Sequence, residues 1–369
     1  MKKRIAPKII FTFAALIISI AASCNVFAHH SFAMFDSKNP ITLTGVVKSF
    51  TWTNPHTQVV LTVTNEDGSE TDWQLEHGPI NMLSRQGWDR STLKPGDRIS
   101  VEGQPLHNGT PGARFIGYKP VDVKTNEVIS RVEESTTRLV PRPDPVDLSA
   151  EVARNLNGIW INASRGIHFD TSVGRGEQMP PLKPEYMARW RQRQTDADAG
   201  KSTNDPTSQC LPAGFPRFLG MVYPSEILQT DHQINWYAEW GESTVRIFLD
   251  GRPRPENLDV SYNGYTTGHW EGNTLVTKTS GMRDDTLVDT TGVPHSDQLV
   301  VSMRLQKLTP DYIEVGVILE DPVVFYEPWE VVKRYSRAPE DFYIQEYSCL
   351  EGNRYQINEE GAVEMKLAE

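Results

Sequence analysis

The chain has 369 residues, with 37 Lys+Arg against 48 Asp+Glu, a formal charge of −11 and three cysteines. That length calls for two domains, or three, rather than a single core. At 38% hydrophobic and 23% charged, the composition fits neither a disordered chain nor a polytopic membrane protein. The acidic balance argues against a nucleic-acid binder, which needs a basic face.

The first 28 residues read as a secretory signal peptide. Lys2, Lys3, Arg4 and Lys8 form a basic start, Ile9 to Ala22 an apolar stretch, and small residues run to Ala28. The apolar run is too short to span a membrane comfortably. Val26 and Ala28 suit cleavage after Ala28, which is preferred over lipoprotein processing at Cys24 because Ala21 stands where a branched apolar residue is usual. Cleavage would leave 33 cationic against 48 acidic side chains, a mature charge near −15, in a periplasmic or secreted protein with no integral span. Cys210 and Cys349 then remain, and an even number in an oxidising compartment reads as one disulfide. The loop-entropy model gives at most about 5 kcal/mol for closing so long a loop.

Residues 29–135 read as a small β domain. Ile41–Val47 and Gln58–Thr64 alternate, Asn65-Glu66-Asp67-Gly68 signals a hairpin, and Thr71–Glu76 returns. Pro79–Trp88 reads as a short helix, and strands follow at Ile99–Gly103 and Ala113–Tyr118. Five strands with a helix after the third are the order of an OB-like barrel. Residues 136–150, with Pro141, Pro143 and Pro145, read as a stiff linker.

The remaining 151–369 restart at Leu156–Trp160. A helix between Pro180 and Asp198 carries Leu182, Tyr186 and Trp190 on one stripe. Short strands are expected at Glu226–Thr230, Ile234–Glu239, Thr244–Leu249, Gly264–Trp270, Thr274–Thr279, Leu299–Leu308, Tyr312–Leu319, Trp329–Tyr335 and Tyr343–Cys349. That spacing predicts an all-β protein whose second unit is a calycin- or lipocalin-like antiparallel barrel, able to enclose one small ligand or to be filled by its own side chains.

Several phrases carry a resemblance. His29-His30-Ser31-Phe32, Trp52-Thr53-Asn54-Pro55-His56 and Leu93-Lys94-Pro95-Gly96-Asp97 resemble a domain-of-unknown-function family of small exported proteobacterial proteins. Cys210-Leu211-Pro212-Ala213-Gly214, Trp270-Glu271-Gly272-Asn273 and Pro294-His295-Ser296-Asp297 resemble larger uncharacterised exported bacterial proteins. Both resemblances imply export and a β-rich fold, and neither carries an activity. Asn273, Val300, Met303 and Arg254 stand where the second pattern tends to have other polar residues.

Three sets of residues could carry chemistry. His29, with the amine that cleavage would free, could chelate copper together with His30, His56 and His77. His295 with Asp284 or Asp285, and His269 after it, form an acid–base set able to move a proton near neutral pH. Arg217, Glu226, Trp236, Trp240, Tyr265 and Trp270 could line an apolar pocket with a few orienting groups. No serine elbow, phosphate loop, dinucleotide fingerprint or zinc-protease motif occurs. The leading expectation is therefore a periplasmic protein binding a small apolar or aromatic molecule in the second barrel, with no cofactor required. An isomerase, lyase or hydrolase acting on such a molecule and a copper-binding protein are the alternatives. Oligomeric state is not fixed by the residues.

Overall fold

The alternation in the first third folds as written. The computed structural model describes residues 34–121, 141–163, 179–199, 201, 205–352, 354–357 and 363–366. Strands β1 (Ile41–Thr51), β2 (Gln58–Thr64) and β3 (Glu70–Glu76) form a meander, followed by helix α1 (Ile80–Arg85), β4 (Arg98–Pro105) and β5 (Gly112–Pro120). They close in the order β1-β2-β3-β5-β4, with β3 and β5 parallel, which is the OB arrangement. Gly68, at φ 82°, supplies the left-handed corner of the β2–β3 turn. Gly45 lets β1 cross β2 closely, since a Cβ there would lie 2.4 Å from the Thr62 carbonyl. Inward residues Leu43, Val47, Leu61, Leu75, Val101 and Phe115 make the core, and α1 caps it with Leu83.

The second barrel has nine strands: β6 (Gly158–Asn162), β7 (Ser225–Gln229), β8 (Gln233–Ala238), β9 (Thr244–Phe248), β10 (Tyr265–Glu271), β11 (Thr274–Ser280), β12 (Val300–Thr309), β13 (Tyr312–Glu320) and β14 (Trp329–Arg337). Each neighbours the next in sequence, and β14 closes on β6. An odd ring cannot be antiparallel throughout, because strand direction must return to itself after one circuit. The mismatch falls at β9–β10, which pair in parallel through Thr266–Ile247 and Thr267–Phe248. A parallel neighbour needs a crossover, and the stretch from Asp250 to Gly264 supplies it. The interior is occupied by side chains, with Trp160, Ile227, Trp236, Leu305 and Val317 at 1% exposure or less. Helix α2 (Ala150–Arg154) precedes β6, with Ser149 accepting from the Val152 amide as its N-cap. Helix α3 (Pro184–Asp198) lays Tyr186 and Trp190 on the barrel core, as the stripe predicts.

Two expectations differ from the fold. β6 completes the ring where only a domain restart is read, and Tyr343–Cys349 is irregular backbone rather than a strand. The second segment alternates but has no sheet edge to join. Its Gln345 amide donates to the Glu239 carboxylate at 2.8 Å, and Cys349 is bonded to Cys210. That disulfide, with Cα atoms 5.5 Å apart, bears out the cysteine pairing. Beyond it the chain returns to the first barrel, where a short hairpin of β15 (Tyr355–Ile357) and β16 (Val363–Met365) forms. Met365 there packs with Met34, Phe35 and Leu106.

Glu239, just past β8, joins the barrels. Its buried carboxylate accepts from Asn81 Nδ2 at 2.6 Å, from Arg85 Nη1 at 2.8 Å and from Arg85 Nη2, all on α1. Arg85 also donates to the Tyr343 carbonyl and stacks over Phe342. Removing one partner of a buried, hydrogen-bonded ion pair strands the other charge, so Arg85→Ala should cost about 3 kcal/mol or more. Urea unfolding measures it. A cost below about 1 kcal/mol, the range of an exposed pair, would count against this junction.

Candidate functional site

Two histidines gather where β2 begins and β3 ends. His56 precedes β2 and places Nδ1 2.7 Å from Oε1 of Glu76, a carboxylate only 2% exposed at the end of β3. His77, the next residue, sits against Phe115 and Trp88 with ring centroids 4.5 and 5.0 Å away. Burial pushes its imidazole down to about 4, helped by the charges of Arg114 and His56, so it is neutral at pH 7. His29 and His30 lie outside the described residues. Among the described residues no three His, Cys, Asp or Glu side chains converge as a metal site. In the pair His56–Glu76 the carboxylate fixes the imidazole's orientation.

The acid–base set in the second barrel is not assembled as one group. His295 is buried, donates from Nδ1 to the Ser296 carbonyl at 2.9 Å, and sets Nε2 2.7 Å from Thr286 Oγ1. Burial lowers its pKa, which suits a neutral ring held by two local partners. Asp284 and Asp285 are exposed, and Asp285 pairs with Arg283. His269 does meet a carboxylate, Glu271, at 3.2 Å, but on the outside of the barrel, with the two side chains 65% and 49% exposed.

The aromatic and polar set also divides. Trp236 is interior and donates to Ser225 Oγ at 2.8 Å. Trp240 packs with Tyr347 and Cys349 near the disulfide. Arg217 is buried in an ion pair with Asp205 at 2.7 Å. Glu226 faces outward from β7, while Trp270 packs against the core under Arg154. Tyr265 stacks on Phe248 at 4.9 Å outside the seam, on the same strand face as His269.

One interior residue was not anticipated. Trp329, Val331, Lys333 and Tyr335 alternate into the barrel, so β14 delivers a lysine among Leu305 and Val315. Lys333 has no exposed surface, and burial lowers its pKa to about 8 against a raising influence from Asp289. The signal was available in the alternation itself, where a cation stands at an inward position.

The outer face of the second barrel carries an open groove. Val276, Arg304, Gly316 and Val332 form one cross-strand row over β11–β14, and Ser302, Ile318 and Glu330 form the next. They floor a groove of about 1160 Å³, walled by Tyr326 and Pro328 before β14 and by Met179 and Pro181 before α3. Gly316 deepens it, because a Cβ there would find its nearest atom 3.9 Å away. Met179 and Tyr326 are 50% and 67% exposed, so two large apolar side chains face solvent at its edge.

Comparison with known proteins gives one partial match. The model of a family of unknown function (DUF6152) matches residues 16–114, which takes in the first barrel as far as early β5. No curated protein and no solved structure matches the chain.

Two pH dependences follow. His77 titrates near 6.5 when unfolded and near 4 when folded, so it contributes stability above pH 6.5 that is lost as the pH falls toward 4. Up to about 3 kcal/mol is at stake, and in thermal melts His77→Phe should flatten that limb. Lys333 works in the opposite sense, since the unfolded lysine keeps its proton to about pH 10.4. Lys333→Met should stabilise the fold by up to about 3 kcal/mol at pH 7, the gain shrinking between pH 8 and 10.4. A gain that stays constant over that range would remove the titration as its cause.

Proposed function

We propose that the protein is an exported binding protein that holds a small apolar or aromatic molecule in the outer groove of its second barrel. The groove carries this reading, because it combines an apolar floor of Val276, Ile318 and Val332 with Arg304 and Glu330 as orienting groups. Its volume of about 1160 Å³ is ample for a drug-sized ligand. The filled interior favours this face over the barrel lumen, since Trp160, Trp236 and Tyr335 occupy the space a calycin ligand would take.

Export is supported by the Cys210–Cys349 bond, which suits an oxidising compartment, and by the basic and apolar leader. No helix among the described residues is long and apolar enough to cross a membrane.

Gly316→Val tests the reading with little risk to the fold, because the added atoms enter open space on a strand that favours β-branched residues. The neutral fluorophore N-phenyl-1-naphthylamine serves as probe. Wild type should bind it, and Gly316→Val should weaken binding about tenfold or more at an unchanged melting temperature, since a filled floor removes apolar contact. Equal affinity in the two proteins would move the site off this groove.

A further inference from the structure

The odd strand count leaves a second feature, a pocket of about 550 Å³ outside the parallel seam. The returning crossover forms one wall with Arg252 and Arg254, while β10 and β11 form the other with Tyr265, His269 and Lys278. Register explains the grouping. Tyr265, Thr267 and His269 point outward at every second position of β10, and Lys278 stands directly opposite Thr267. Not one carboxylate lines this pocket among the described residues, although acidic side chains outnumber basic ones in the chain, 48 to 37.

The nearby acids are engaged elsewhere. Asp250 holds Arg252 through contacts of 2.8 Å, and that guanidinium lies over Phe248, itself stacked on Tyr265. Glu271 is shared between Arg304 and His269. Arg254 and Lys278 have no carboxylate partner among the described residues. Arg254 is nevertheless fixed in place. It donates to the Leu258 carbonyl at 2.6 Å and lies across Gly281, where a Cβ would come within 2.7 Å of its Nη2. A positioned guanidinium and an ammonium without a carboxylate partner line one pocket together with Thr267 and Ser280, a set of donors that matches an oxyanion.

We propose that the seam pocket binds the oxyanion group, carboxylate or phosphoryl, of a small molecule, through Arg254 and Lys278 with Tyr265 as its apolar wall. The site is separate from the groove and stands whether or not the groove holds a ligand.

Calorimetric titration of the full chain at pH 7 and low salt tests it, with inorganic phosphate, benzoate and the neutral benzamide as probes. At least one anion should bind, and benzamide should not. Stronger phosphate binding identifies a phosphoryl ligand, and stronger benzoate binding an aromatic carboxylate. Lys278→Glu, an exposed substitution, should weaken the bound anion about tenfold or more at an unchanged melting temperature, and Arg254→Gln should weaken it similarly. Gly316→Val should leave anion affinity unchanged, which separates this site from the groove. Silence of both anions up to about 10 mM, benzamide binding equal to benzoate, or full affinity in Lys278→Glu would each overturn the proposal.

Discussion

A single buried carboxylate sets the relation between the barrels. Glu239 has no exposed side-chain surface, and an isolated charge in that position would be costly. Its oxygens are met by Asn81 and Arg85 from the first barrel and by the Gln345 amide from the returning chain. Helix α1 therefore has two roles. Leu83 seals its own barrel, while Asn81 and Arg85 face outward to hold the other. Apolar contact between domains tolerates sliding, whereas a bidentate guanidinium–carboxylate pair fixes direction as well as distance.

Much of the fold was legible because a half-buried strand writes its geometry into the chain. In β1, the alternation of Leu43, Gly45 and Val47 with Thr42, Thr44 and Val46 is the burial pattern itself. The OB order followed from counting such segments around one short helix. Strand β6 escaped because five residues, Gly158 to Asn162, give too short a run to assert a period. Tyr343–Cys349 misled for the opposite reason, since alternation shows that a segment could pair but not that a free edge awaits it. The sites were less legible. His56 and Glu76 are 20 positions apart and meet only because the β2–β3 hairpin aligns their ends. His295 was read with Asp284 or Asp285, and the order of residues does not reveal that its buried ring is held by Thr286 and the Ser296 carbonyl.

Closure of the second barrel shapes where binding can occur. Trp160, Trp236, Tyr335 and the stem of Lys333 are buried inside the nine strands, and the groove over β11–β14 lies on the outside. There the lattice of outward residues is continuous, because His269, Val276, Arg304, Gly316 and Val332 occupy one row from the seam to the groove. Apolar and cationic regions thus adjoin on one rigid surface. Strands hold such side chains more firmly than loops would.

The path of the chain beyond the disulfide has a topological consequence. The polypeptide builds the first barrel, then the second, and comes back so that Met365 lies beside Met34 and Phe35. Arg354 reaches Gln74, and Glu351 accepts from the Asn54 amide, on the same return path. The two barrels are therefore connected twice, once by the chain between Val121 and Pro141 and once by this returning strap, which Cys210 bolts to the second barrel's own loop. A protease cutting the chain between Val121 and Pro141 would not separate the halves. It would produce a nicked molecule that still moves as one particle, its two pieces held together by the far end of the chain.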